Sequence, residues 1–157
     1  GDVIVPKQEK RRIPTQLDDF EAPIINTYSI ETTIAEKIDA ILSLMEFSSR
    51  MKDYYDIYYL SHKFDFDGKV LCEALDRTFT NREHAFSLEQ FQQIMTFASD
   101  DGMQKKWKAF TKKIDVKIDG FSTVLHGINV FLCEPYTNVI NGHIFEKMWN
   151  ANEGKWD

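Results

Sequence analysis

From residue 29 onward, apolar residues return at helical spacing in one segment after another, and this period restricts the chain to a helical bundle. Ser29 is placed to cap the first segment, where Ile30, Ile34, Ile38, Ile41, Leu42 and Met45 fall at i, i+3 and i+4. Ser48-Ser49 ends it. The spacing predicts further helices over residues 50–60, 68–79, 88–98 and 100–114, then 124–132 and 139–149. Residues 150–157 read as a frayed tail, with Trp149 and Trp156 available to pin it to the bundle. Only seven glycines and four prolines are present, which argues against a turn-dense all-β domain.

The first 28 residues have a different texture. Val3-Ile4-Val5 is a β-branched run stopped by Pro6, a strand or the tail of one. Residues 6–28 show no sustained period and read as an extended connector, so the expected division is 1–28, strand remnant plus connector, and 29–157, helical domain. The chain opens inside the strand-like run without an initiator Met, which suggests a missing upstream segment and an exposed strand edge able to mediate dimerisation. Two cysteines are too few for a disulfide framework, and no apolar run reaches the roughly 18 residues of a membrane span. A cytoplasmic protein without membrane association is expected. The net charge of −6 excludes a uniformly basic nucleic-acid coat while leaving room for a local basic face.

The informative residues break the amphipathic pattern. At about 100° per residue, the apolar positions of the first helix fill an arc of roughly 120°. Asp39 and Glu36 lie away from that arc, as solvated charges do, whereas Lys37 falls at its edge and Glu31 within it. In the second helix, Arg50 and Asp53 fall on the apolar face and Asp56 at its border. Carboxylates at i and i+3 repel unless a cation stands between them, and Lys37 and Arg50 are the available partners. Two readings stay open: an internal ion-pair network joining two helices, or a polar seam lining a cleft that meets an anion.

The strings Tyr28-Ser-Ile-Glu-Thr-Thr-Ile-Ala-Glu-Lys-Ile-Asp-Ala40 and Ser49-Arg-Met-Lys-Asp-Tyr-Tyr-Asp-Ile-Tyr-Tyr-Leu60 resemble the AbiEii/AbiGii nucleotidyltransferases, the toxin halves of type IV toxin–antitoxin and abortive-infection systems. Gly1-Asp-Val-Ile-Val-Pro6, Phe64-Asp-Phe-Asp-Gly68, Phe79-Thr-Asn-Arg82 and Trp107-Lys-Ala-Phe110 are similar to further landmarks of that family. The resemblance implies a mainly α chain, the helical C-terminal part of an α+β, polymerase-β-like enzyme. Its implied chemistry is nucleotide transfer from an NTP to an acceptor, a tRNA end in some relatives. Lys37 matches the family's phosphate-binding lysine and Asp53 its acidic residue, with Asp56 as a further catalytic candidate and Arg50 at the nucleotide. A cognate antitoxin is an implied partner.

One family element has no counterpart. The metal-binding motif begins with Gly-Ser and continues to two closely spaced carboxylates, yet no Gly-Ser dipeptide occurs in the sequence. Asp65-Phe-Asp67 has the Asp-x-Asp form but matches a non-catalytic landmark. Mg²⁺ and NTP are therefore expected of the full-length enzyme, no cofactor and no metal site of this portion, and the portion alone should be inactive. The fifth helix carries Lys105, Lys106, Lys108, Lys112 and Lys113, with Lys117 following, either a solvated face or an RNA contact through Lys105, Lys108 and Lys112. The four histidines have no ligand spacing, and neither a P-loop nor a GxGxxG occurs. The alternative from a different class is a non-catalytic helical module that binds an antitoxin or another protein.

Overall fold

The computed structural model describes residues 11–12, 24–25, 29–114 and 117–157. The strand expected at Val3 to Val5, with its exposed edge, lies outside the described residues. Within the segment read as a connector, β1 (Arg11–Arg12) and β2 (Ile24–Ile25) pair antiparallel, Arg11 opposite Ile25 and Arg12 opposite Ile24. The β-branched pair Ile24-Ile25 suits such a ladder.

The rest is mainly α, as the periodicity requires. Six helices are described: α1 (Ile30–Leu44), α2 (Met51–Lys63), α3 (Gly68–Asn81), α4 (Leu88–Thr96), α5 (Asp101–Ile114) and α6 (Phe121–Asn141). Side chains cap the starts of α1, α3 and α4. The Ser29 hydroxyl accepts the Thr32 N–H at 3.1 Å, and Asp67 accepts the Lys69 N–H at 2.9 Å. Ser87 and Gln90 form a reciprocal capping box at α4. Ile34, Ile38, Tyr54, Ile57, Leu71, Leu75, Val124 and Phe131 make up part of the common core.

The C-terminal quarter departs from expectation twice. One helix, α6, runs unbroken where two were expected, and it contains Pro135. A proline lacks the N–H that would bond the carbonyl four residues earlier, here Phe131. That carbonyl accepts the Trp156 indole N–H at 2.8 Å instead, so the helix continues without an orphaned acceptor. Gly142, at φ 69°, then closes α6 in the left-handed conformation that glycine adopts most cheaply.

Residues 142–149 are consequently not helical, and the last residues are no frayed tail. β4 (Met148–Asn150) and β5 (Lys155–Trp156) form a hairpin that pairs with β3 (Phe66–Asp67) in an antiparallel sheet of order β3-β4-β5. Trp149 and Trp156 are cross-strand partners, both buried against Phe131. The Trp149 indole donates to the Ser61 carbonyl at 2.7 Å, one of the last carbonyls of α2. The indoles thus satisfy two helix carbonyls as well as filling the core. Asp65 and Asp67 are used structurally here, Asp65 accepting the Ala151 N–H at 2.8 Å and Asp67 capping α3.

Candidate functional site

Three cations and two carboxylates converge where α1 meets the start of α2. Asp53 and Asp56 lie one turn apart on α2 and are both buried, with side chains only 5% and 8% exposed. The Lys37 ammonium, on α1, sits between them, 3.3 Å from Asp53 Oδ1 and 3.0 Å from Asp56 Oδ2. Each carboxylate has a second cation: Arg50 Nε is 3.0 Å from Asp53 Oδ2, and Lys52 Nζ is 2.8 Å from Asp56 Oδ2. Among the described residues no hydrogen bond is directed at Asp53 Oδ2, so its contact with Arg50 is one of charge proximity rather than of an aimed N–H.

The structure therefore brings Lys37, Arg50, Asp53 and Asp56 into one seam. Arg50 is the residue whose placement differs. It precedes the first residue of α2, and its side chain is 61% exposed rather than centred on the apolar face. Helical phase begins at Met51 and so does not govern where Arg50 points. Burial alone would favour the neutral amine of Lys37, but Asp56 and then Asp53 act against it, and its pKa lies above the ordinary lysine value. Lys37 is an ammonium at neutral pH, suited to holding an anion and unsuited to accepting a proton.

The described carboxylates do not fit a divalent ion. Asp53 and Asp56 are already committed to cations, and Asp65 and Asp67 accept backbone N–H groups. No cluster of three or more His, Cys, Asp or Glu side chains capable of holding a metal ion occurs among the described residues. Two cavities of about 280 and 400 Å³ lie elsewhere, and neither is lined by the seam residues.

The lysine face of α5 is split by the structure. Lys105, Lys108, Lys112 and Lys113 are exposed along one side of the helix. Lys106 instead turns inward and donates to the carbonyls of Glu46 and Ser48, at 2.7 and 2.9 Å. It braces the turn that joins α1 to α2.

Asp39 was expected to be solvated, and it is buried at 1% exposure. Its Oδ2 lies 2.9 Å from His84 Nδ1 and its Oδ1 3.4 Å from Arg82 Nη1, just beyond the end of α3. The reason is that α1 is packed on more than one side, so residues outside the aliphatic arc are covered too. Lys37 and Asp39 point in nearly opposite directions, about 160° apart. The helix is thus tied by charge to α2 on one side and to the α3 end on the other.

The described residues are a mainly α bundle with a buried ionic seam, built from one lysine and an aspartate pair, at its first helix junction. The chain belongs to the AbiEii family: residues 1–126 match the family model described as Nucleotidyl transferase AbiEii toxin, Type IV TA system. No curated protein and no solved structure matches. The matched stretch includes the whole seam and all of α5, and it ends within α6, before the tryptophan hairpin. No helix among the described residues is long and apolar enough to cross a membrane.

Proposed function

We propose that this chain contributes the phosphate-binding and proton-accepting half of a nucleotidyltransferase toxin site. The observation that carries the proposal is the Lys37 ammonium bridging Asp53 and Asp56 at 3.3 and 3.0 Å inside the family-matched stretch. A triphosphate approaching the seam competes with these carboxylates for Lys37 and for the exposed Arg50. As Lys37 turns to the phosphates, the Asp53 Oδ1 that it held at 3.3 Å is freed to meet the acceptor hydroxyl. The acceptor hydroxyl oxygen then bonds to the α-phosphorus, the α–β phosphoanhydride bond breaks, pyrophosphate leaves with its electron pair, and Asp53 takes the hydroxyl proton. Asp56 and Lys52 hold the geometry.

The NTP is the donor. The acceptor is an RNA, a tRNA end among the candidates, with Lys105, Lys108 and Lys112 meeting its phosphates. Mg²⁺ belongs to carboxylates other than those described, and the described portion alone is inactive in transfer. An antitoxin is the regulatory partner.

Two measurements test this reading. Equilibrium dialysis of the 157-residue chain against inorganic tripolyphosphate should show binding that Lys37→Ala weakens. Transfer of α-phosphate label from NTPs to bulk tRNA should be measured with the product of the whole coding sequence, where Asp53→Asn should eliminate it. Growth arrest on expression should follow the same pattern. Label transfer or arrest that survives both substitutions refutes the catalytic reading and leaves the seam as a structural ion-pair network in a binding module.

A further inference from the structure

Between α1 and α2 the chain makes a 3₁₀ turn, Met45–Phe47, and Phe47 stands 83% exposed on it. This exposure does not come with a loose backbone. Met45 adopts φ 51°, the Ser48 N–H bonds the Met45 carbonyl at 3.2 Å, and the buried Ser48 hydroxyl accepts the Arg50 N–H at 3.0 Å. The Lys106 ammonium clamps the carbonyls on both sides of Phe47. An aromatic ring on a fixed backbone binds a partner with little ordering cost.

Its position indicates the partner. Leu44, 39% exposed, lies seven residues after Lys37, hence on the same face of α1 and about 10 Å further along the helix axis. That is the scale separating the base of a nucleoside triphosphate from its outer phosphates. Arg50 follows Phe47 by three residues and turns its exposed side chain toward the seam. Lys37 and Arg50 meet at Asp53, and the exposed ring of Phe47 stands on the turn between the two helices that carry that seam. Cations and an apolar ring are what a nucleotide's phosphates and base require.

We propose that Phe47, together with Leu44, is the stacking platform for the base of the nucleoside triphosphate whose phosphates lie at Lys37 and Arg50. This rests on the phosphate role proposed above for those two cations. Stacking on a ring face tolerates any base, so Phe47 sets affinity for the nucleoside half and leaves choice among bases to other contacts.

Competition binding on the 157-residue chain separates the two claims, with ATP, GTP, CTP and UTP as one set of probes and inorganic tripolyphosphate as the other. Phe47→Ala should weaken NTP binding by about 5- to 100-fold and leave tripolyphosphate binding unchanged. Phe47→Trp should retain NTP affinity, and its added indole fluorescence should be quenched by NTPs but not by tripolyphosphate. Lys37→Ala should weaken both probe sets. NTP affinity in Phe47→Ala within about two-fold of wild type overturns the platform, as do equal losses for the two probes or wild-type protein that binds neither. A loss confined to NTPs in Phe47→Ala, with tripolyphosphate indifferent to Lys37→Ala, supports the platform and overturns the phosphate role instead. Since the ring is exposed, melting temperatures of all Phe47 variants should match wild type.

Discussion

Replacing Lys37 by Ala leaves two buried carboxylates one helical turn apart without the cation between them. At 3.0 and 3.3 Å, and with an effective dielectric of about 20, each attraction lost is on the order of 5 kcal/mol. Most of that is offset, because the substitution also relieves the cost of desolvating the ammonium and because Arg50 and Lys52 remain. Breaking a buried pair by removing one partner typically costs about 3–5 kcal/mol. With one cation left on each carboxylate, we expect about 2–3 kcal/mol. For a chain of this size that lowers the melting temperature by about 4–12 °C, from about 2–4 °C per kcal/mol. The cause is open to a direct check by double-mutant cycle, with circular dichroism melts and urea titrations of Lys37→Ala, Asp56→Asn and the double variant. Neutralising Asp56 removes the repulsion, so the double variant should be more stable than the sum of the singles by about 1 kcal/mol or more. Additivity within about 0.5 kcal/mol, or a Lys37→Ala melt within about 2 °C of wild type, would refute the view that the lysine compensates the aspartate pair.

Asp39→Ala should destabilise by about 1–3 kcal/mol in urea titration, by removing the carboxylate that holds His84 and Arg82, which are themselves part-exposed. Glu36→Ala, which loses only a part-exposed contact of 3.8 Å with Arg82, should cost under about 0.5 kcal/mol. Trp156→Phe keeps an aromatic ring but orphans the Phe131 carbonyl, so a loss of about 1–3 kcal/mol is expected in the same assay. Burial raises the Tyr55 and Tyr58 hydroxyls to about 12, helped at Tyr55 by Tyr59 and Asp56 and at Tyr58 by its 2.6 Å bond to Asp119. Their folded values exceed the ordinary value near 10, so the unfolded chain releases these protons first. Stability should therefore hold up to about pH 10 and fall as pH rises toward 12. The raised Lys37 pKa acts in the same direction above 10.5. Gly127→Ala, whose added Cβ would fall 2.6 Å from the Tyr58 ring, should displace that ring and return one tyrosine absorbance transition toward pH 10.

The first five helices were legible because each is amphipathic, and Ser29 marked the start of the first; the caps Asp67 and Ser87 add start signals that the spacing alone did not need. The seam was legible because Lys37 and Asp53 violate a pattern that is otherwise clean, and such violations demand partners. Asp39 was not, since its neighbours Arg82 and His84 come from a part of the chain that helical phase does not connect to α1. Nor was the continuity of α6. A proline reads as a break, and the donor that cancels the break stands 25 residues away in Phe131–Trp156 sequence separation. Phe47 carried no signal either, because an apolar residue in a short connection says nothing about which way it faces.

The two indole bonds have a consequence for the order in which the chain can be completed. α2, which holds Asp53 and Asp56, has its Ser61 carbonyl closed by a residue 88 positions later. During synthesis the seam helices emerge before the tryptophans, so this closure must wait until Trp149 has emerged, and that of Phe131 until Trp156. Non-local closures of this kind slow folding. Until both tryptophans are available, the Ser61 carbonyl of α2 and the Phe131 carbonyl of α6 lack the indole donors that they have in the folded chain.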